Sequence, residues 1–293
     1  MIYLAESGST KCDAVFLTNE GEEIKRIRTI GFNPYFHDEQ FVAKEIIKVP
    51  EIAELGSQVD QVYFYGAGCS TPELNEIIAR GLKAGFPNAE IQVDHDLRAS
   101  AYATWNGLPQ ITCILGTGSN VVYYDGQRLQ PGRSGYGFII GDEGSASYIG
   151  KRLVRAYLYR QMSDALCREF EETFGVDEVI IREKVYAPQG ANVFLGSFAP
   201  FAHKHLQHPF FYQLVFNGFR EFIETQVLPF SQSQKVPISF VGSIAYHFAP
   251  VLKDVLDFFD LQEGKIIRRP VDGLIDYYRR YKMNLHKIDH GNH

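Results

Sequence analysis

The sequence lacks an excess of positive charge: 29 Lys and Arg stand against 35 Asp and Glu, a formal net charge of −6 over 293 residues. That argues against a nucleic-acid or anionic-membrane surface as the main partner. It also lacks any run approaching the roughly 18 apolar residues of a membrane span. The opening MIYLAESGSTKCD has no basic region and only a short apolar run, so no signal peptide is expected and the cytoplasm is the expected compartment. Cysteine is sparse: Cys12, Cys69, Cys113 and Cys167 are scattered without a CxxC pair, which fits free buried thiols better than disulfides or a zinc site. Low-complexity tracts are absent and hydrophobic content is 45%, so the chain reads as folded throughout, with a length suited to two domains of about 100–200 residues each.

What the sequence does have is one unusual stretch. GYGFIIGDEGSASYIG, residues 135–150, packs five glycines, two adjacent carboxylates and two serines into sixteen residues, more backbone freedom and polarity than ordinary core needs. Phe138-Ile139-Ile140 is expected to dive into the interior, and Asp142-Glu143 then precede a helix from about Ser145. Carboxylates are favoured there by the unpaired N–H groups of the helix start. A cap alone would need one of these residues, not the cluster, so the stretch reads as the floor of a ligand site.

In chain order, strands Ile2 to Ala5, Cys12 to Leu17 and Ile24 to Ile30 predict an antiparallel meander. Its first turn, Glu6-Ser7-Gly8-Ser9-Thr10-Lys11, is rich in small and hydroxylated residues and can offer N–H groups to a phosphate. A helix from about Asp38 to Val49, a strand at Val62 to Tyr65, a helix from Thr71 to Gly85 with Pro72 at its first position, and a strand at Ile91 to Val93 follow. That strand empties into Asp94-His95-Asp96. Ligands gather outside the carboxyl ends of strands in α/β sheets, which suits Asp96 as a working carboxylate; the position equally suits the N-cap of a helix Leu97 to Trp105.

The second half echoes the first. Ile111 to Leu115 and Val121 to Tyr124 flank Gly116-Thr117-Gly118-Ser119-Asn120, so that Gly118-Ser119-Asn120 falls on Gly8-Ser9-Thr10. Two such hairpin turns can grip one polyphosphate. The boundary is expected near Asn106 to Pro109, giving domains 1–107 and 108–293, with the last helix free to pack back on the first. Helical segments follow at Ser145 to Glu172, Val176 to Val185 and Phe210 to Leu228. A strand at Val236 to Val241 ends in Gly242-Ser243 before a helix from about Tyr246 to Phe259, then a short strand at Ile266-Ile267 and a helix from Val271 to about Leu285 with a frayed tail. His203, His205 and His208 lack the i, i+4 spacing of a helical metal pair and read as a solvated helix start.

SGSTK at Ser7 to Lys11, LGTGSN at Leu115 to Asn120, GYGFIIGDEGS at Gly135 to Ser145 and FVGS at Phe240 to Ser243 together resemble the N-acetylglucosamine kinase branch of the sugar kinase/heat-shock/actin superfamily, the BadF/BadG-type ATPase group. The resemblance spans nearly the whole chain, and its GDEGS and GTGSN segments are specific. It implies an α/β fold of two RNase H-like (actin-like ATPase) domains, each a mixed five-stranded sheet flanked by helices, with an active-site cleft between them that closes for catalysis. It implies ATP and Mg2+ as cofactors, an amino sugar as the small-molecule partner, and allows a homodimer. Residue by residue, Glu6, Gly8, Ser9, Thr10 and Lys11 resemble the first phosphate loop, Thr117 the second phosphate contact, Ala199 a nucleotide-contacting stretch, and Gly242 and Ser243 the adenosine turn. Asn33, Ser119, Asn120, Gly135, Tyr136, Gly137 and Asp142 match sugar contacts, and Asp96 matches the catalytic base. Glu6 stands where many relatives have Asp and is expected to organise magnesium through water; Tyr136 stands where an indole is frequent.

The resemblance favours phosphorylation of N-acetylglucosamine to its 6-phosphate, with glucosamine or N-acetylmuramic acid as near alternatives and a non-catalytic ATP- or sugar-binding sensor as a different class. A reductase-activating ATPase, known in the same group, needs cysteines for an iron–sulfur cluster, and no suitable pair exists.

Overall fold

A computed structural model describes residues 1–8, 11–133, 135–187 and 189–283. The chain forms two compact units, one built from Met1–Trp105 with the segment from Arg269, the other from Asn106–Arg268.

The first unit opens with β1 (Ile2–Ser7), β2 (Lys11–Leu17) and β3 (Glu23–Ile30). Next come α1 (Glu39–Ile46), α2 (Pro50–Leu55), β4 (Gln61–Gly66), α3 (Pro72–Leu82), β5 (Glu90–His95) and α4 (Asp96–Thr104). The sheet order is β3-β2-β1-β4-β5, with β2 antiparallel to β1 and β3, and β1, β4 and β5 parallel. Helix α1 starts on Asp38, whose side chain accepts from the Phe41 N–H, and α3 on Thr71, which does the same for Leu74. The core lies between the sheet and the α1–α3 layer, around Tyr3, Phe16, Phe32, Phe64 and Phe86. Three places depart from the expected elements. The ladder carries Glu6, Ser7 and Lys11 into the strands, so the first turn is shorter than its composition suggests. Pro50 starts a separate helix, since its ring fits a first helical turn but would break an interior one. Asp96 is not a cap: β5 runs on to His95, and the His95 ring is the acceptor for the Leu97 N–H.

The second unit repeats this plan. It runs β6 (Gln110–Leu115), β7 (Ser119–Tyr124), β8 (Leu129–Pro131), α5 (Gly137–Ile140), α6 (Ala146–Leu158), α7 (Asp164–Phe174), α8 (Glu178–Val185), α9 (Ala191–Gly196), α10 (Ala199–Lys204), α11 (Pro209–Phe222), β9 (Ile238–Val241), α12 (Ser243–His247), α13 (Ala249–Phe258) and β10 (Glu263–Ile267). Sheet order β10-β9-β6-β7-β8 is that of the first unit read from the other edge, again with two antiparallel pairs and two parallel ones. Each unit is thus a mixed five-stranded sheet flanked by helices. The core is phenylalanine-rich, with Phe170, Phe198, Phe201, Phe211, Phe219 and Phe222 all buried. Helix α11 continues into a π-helical turn, Ile223–Val227.

The chain then returns to the first unit as α14 (Pro270–Tyr277), which packs on α4: Tyr277 stacks on Tyr102 at 4.1 Å, and Gly273 lies so close to Ala103 that a Cβ would meet its carbonyl oxygen at 2.2 Å. The tail beyond residue 283 lies outside the described residues. Among the described residues no helix is long and apolar enough to cross a membrane.

Candidate functional site

In the first unit the strand register builds a row of chemistry. Glu6 on β1 faces Asp13 on β2 and Tyr65 on β4; Asp13 in turn faces Arg28 on β3, and Tyr65 faces Asp94 on β5. Paired positions share one face of a sheet, so Glu6 and Asp13 confront each other. Arg28 Nε binds Asp13 Oδ1 at 2.7 Å, leaving Glu6 without a countercharge in that row. Burial first, then the charges of Asp96 and Asp13, push the Glu6 carboxyl up to about 8.

Asp96 begins α4 at the carboxyl end of β5. Its Oδ1 sits 2.6 Å from His95 Nδ1, yet it is buried without a hydrogen bond. The reason is local. In neutral His95, Nδ1 accepts the Leu97 N–H at 3.1 Å; in protonated His95 the same nitrogen carries a hydrogen for Asp96. Burial works against charge on His95, and the contact with Asp96, helped by Asp94, outweighs it, raising its pKa. The Asp96 carboxylate is held in place but not saturated.

Ser7 ties this corner together. Its hydroxyl accepts the Phe32 N–H at 2.9 Å and donates to Gly8 O at 3.1 Å, coupling the end of β1 to the loop that carries Asn33. Asn33 is buried, with Oδ1 accepting the Tyr35 N–H at 3.0 Å. Gly68 is obligatory beside it: φ is +81°, and a Cβ would meet Asn33 Oδ1 at 2.5 Å. The neighbouring Cys69 thiol is pushed up to about 12 by burial, then by Asp96 and Asp94. Glu6, Asn33 and Asp96 therefore share one end of the sheet. Gly8 and Lys11 flank the first turn, while Ser9 and Thr10 lie outside the described residues.

In the second unit Asp142 is the organising residue. It adopts a left-handed backbone, φ +57°, a conformation costly for a residue with a side chain. From there Oδ1 accepts the Ser119 N–H at 3.3 Å, and Gly118 leaves 3.0 Å between a notional Cβ and Asp142 Oδ2. Burial raises the Asp142 pKa, the Ser119 hydrogen bond opposes it, and Glu143 adds to the rise. The second turn is pinned to α6 through its backbone: Ala146 N–H donates to Gly116 O at 2.8 Å and Ser147 N–H to Thr117 O at 3.2 Å. Thr117 remains exposed and Ser119 is buried. The side chain of Asn120 accepts the Val121 N–H at 2.9 Å.

The Gly242 turn joins the same cluster. At φ +120°, a Cβ on Gly242 would stand 2.3 Å from Leu115 O, so β9 ends hard against the start of the second turn, with Ser243 exposed as the first residue of α12. Ala199 is buried in the hydrophobic core at the start of α10. Gly135 and Gly137 have positive φ and open surroundings, and Tyr136 is exposed.

The expectation that Phe138 to Ile140 enters the interior holds for Phe138, which is half-buried against the hydrophobic core, and is overturned for the two isoleucines. Ile139 is 74% and Ile140 77% exposed, because the segment forms a single helical turn, α5, whose carbonyls at Phe138 and Ile139 accept from Lys151 Nζ. The cap ahead of α6 is Ser145, which accepts the Tyr148 N–H at 3.2 Å, so Asp142 and Glu143 are released from capping.

Sequence reading missed Asp13 and Gln226, and took Ser7 only as part of the first turn. Asp13 was visible only as the residue that register sets opposite Glu6. Gln226 lies in the π-helical turn, is 5% exposed, donates to Glu143 Oε2 at 3.3 Å, and keeps a buried Oε1 without a partner; π turns of this kind recur at functional sites.

Among the described residues no three His, Cys, Asp or Glu side chains gather closely enough to hold a metal ion directly. The donor chemistry nevertheless fits a hard divalent cation held through water. Glu6, its proton affinity raised by burial and then by Asp96 and Asp13, belongs to an all-oxygen set whose mutual repulsion a cation would relieve.

A crystal structure of a Porphyromonas gingivalis protein, provisionally named an N-acetylglucosamine kinase, is 35% identical over 96% of this chain and 99% of that one, with a TM-score of 0.90. A second protein provisionally so named, from Chromobacterium violaceum, is 17% identical over 94% and 98% of the two chains, TM-score 0.72. A ROK family glucokinase from Streptomyces griseus, solved with glucose and AMPPNP, is 13% identical over 94% and 97%, TM-score 0.53. The last two show likeness of fold. No family model matches the chain, and no curated protein does.

Proposed function

The chain belongs to the family of N-acetylglucosamine kinase-like sugar kinases, and from that premise we propose that it transfers the γ-phosphoryl group of ATP to a hydroxyl of an amino sugar, N-acetylglucosamine in the first place and its 6-hydroxyl. The observation that carries this reading is Asp96: a half-buried carboxylate at the carboxyl end of a parallel strand, with Oδ1 oriented by His95 Nδ1 at 2.6 Å.

Phosphoryl transfer asks little covalent chemistry of a protein and much alignment and charge stabilisation. Asp96 accepts the proton of the attacking sugar hydroxyl, a role worth about 10²–10⁴ in rate. His95, whose proton affinity burial lowers and the contact with Asp96 raises by more, keeps the carboxylate in position. Asn33 and Asp142 hold sugar hydroxyls, with Ser119 and Asn120 beside Asp142; a site that hydrogen-bonds hydroxyls strongly rejects ligands lacking them. The backbone of the first turn, with Ser9 and Thr10, and Thr117 of the second contact the phosphates, and Gly242-Ser243 offers a close backbone approach to the adenosine. Gly135, Tyr136 and Gly137 supply an adaptable wall against the sugar, open enough for an N-acyl group. Magnesium, held by Glu6 through water with Asp13 and Asp96 nearby, would supply charge neutralisation to the phosphates.

The test is ATP consumption with a panel of amino sugars, wild type against Asp96→Asn. The proposal expects sugar-dependent turnover that is greatest with N-acetylglucosamine and lost in Asp96→Asn while sugar still binds. Hydrolysis independent of sugar, or near-normal turnover in the variant, refutes it.

A further inference from the structure

The segment from Gly135 to Asp142 has a backbone that does little to fix itself. Gly135 and Gly137 have positive φ, with open space where a Cβ would stand, and α5 is a single turn closed by the Gly141 N–H on Gly137 O at 2.8 Å. A turn of that length has no stability of its own. What holds it comes from its neighbours. Phe138 packs against the core, and Lys151 on α6 reaches back with Nζ to donate to Phe138 O at 2.8 Å and to Ile139 O at 3.3 Å. An ammonium at the carbonyl end of a helical turn satisfies groups that have no partner within it.

The same ammonium stands in a mixed field. Burial, then Arg152 beside it on α6, lower the Lys151 pKa from the ordinary lysine value; Asp142 and Glu143 from the turn after α5, and Glu221 from α11, oppose them. The influence is mutual. Burial raises the Asp142 pKa and Glu143 adds to it, while the Ser119 N–H and then Lys151 draw it down. Asp142 also holds its left-handed φ of +57°, a strain that persists only where the surroundings fix the chain. Lys151 fixes the residues just before it.

We propose that Lys151 is a positioning residue for sugar recognition, tethering α5 between the Gly135–Gly137 wall and Asp142 and supplying the positive charge that acts on the Asp142 carboxylate. The inference rests on the reading of Asn33, residues 135–137 and Asp142 as sugar contacts. Lys151 itself needs no contact with the sugar. An ionised Asp142 is an acceptor only, the form that takes a hydrogen from a sugar hydroxyl, and a fixed α5 removes the ordering cost that a loose wall would add to binding.

The experiment is calorimetric titration of the full chain with N-acetylglucosamine and glucosamine, beside steady-state kinetics, from pH 5 to 10, for wild type, Lys151→Met and Lys151→Arg. Wild-type affinity is expected to fall on the acid side as Asp142 takes a proton and on the alkaline side as Lys151 loses one. Lys151→Met should weaken the sugar about ten-fold or more at neutral pH, the scale of a lost charge-assisted hydrogen bond, raise KM alike, and lower turnover at saturating sugar far less. Its acid limb should move to higher pH, because the charge that drew the Asp142 pKa down is gone. Lys151→Arg keeps the charge and should recover most of the affinity while losing the alkaline limb, since a guanidinium does not deprotonate. Should Lys151→Met not fold, the alkaline limb of wild type against Lys151→Arg carries the test. Unchanged affinity in Lys151→Met, a loss of equal size at every pH, or an alkaline limb that persists in Lys151→Arg overturns the proposal. Wild type that binds neither sugar refutes the assignment of residues 135–142 to sugar binding, and with it this inference; wild type that binds while the variants behave as wild type refutes this inference alone.

Discussion

Glu6→Gln tests the electrostatics of the first unit most directly. Glu6 ionises near its ordinary 4.5 when unfolded and near 8 when folded, so the folded chain holds a proton there that the unfolded chain releases. A raised carboxyl contributes stability that is complete below 4.5 and lost as pH climbs to about 8. At about 1.4 kcal/mol per pH unit, that window is worth at most roughly 5 kcal/mol, and half of it is readily measured. Glutamine mimics the protonated side chain and does not titrate. In urea unfolding at pH 5, 6, 7, 8 and 9 without metal, the variant should gain on wild type steadily from pH 5 to 8 and then run parallel to it. Asp13→Asn, which removes one of the two repelling charges, should shrink the gain. Magnesium should stabilise wild type at pH 7 to 8 more than Glu6→Gln, since a cation relieves ionised Glu6 and has nothing to relieve in the variant. A difference between wild type and Glu6→Gln that stays constant from pH 5 to 8 would refute the reasoning, because it would mean that Glu6 titrates as an ordinary surface carboxylate.

Asp96→Asn is expected to lower turnover about 10²–10⁴-fold with the sugar dissociation constant little changed, measured by steady-state kinetics beside calorimetry. Asp142→Asn should hold or slightly raise the melting temperature, because asparagine tolerates the left-handed backbone better, while the KM for sugar rises; a fall in stability with unchanged KM would assign Asp142 to structure alone. Gly242→Ala meets both a φ of +120° and a carbonyl at 2.3 Å, so it should cost several kcal/mol, about the scale of the severe class of substitutions, visible as a large fall in melting temperature. Gln226→Leu removes a buried unpaired oxygen and the hydrogen bond to Glu143; sugar affinity should fall with little loss of stability, and an unchanged KM would take Gln226 out of the site.

Much of this protein could be read from its residues alone. Alternation and turn chemistry located β1, β2 and β3 and the echo at β6 and β7, because side-chain period and glycine-rich turns are local properties. The Thr71-Pro72 start of α3 was legible for the same reason, as was the family, carried by GTGSN and GDEGS, and with it the kind of fold. Asp96 could be singled out by its place after a strand.

Tertiary structure decided what local pattern cannot hold. Whether Asp96 caps a helix or waits for a proton turned on one residue of ladder, which carried β5 to His95 and gave the cap to its ring. Phe138 to Ile140 looked like core because apolar triplets usually are, but a segment flanked by flexible glycines is buried only where something packs over it, and in its own unit Phe138 reaches the core while Ile139 and Ile140 stay exposed. The proton on Glu6 depends on burial first, and then on Asp96 and Asp13, ninety and seven residues away in sequence. Charge–charge interactions act through space, and only the register of a sheet and the end of a helix bring those three carboxylates together.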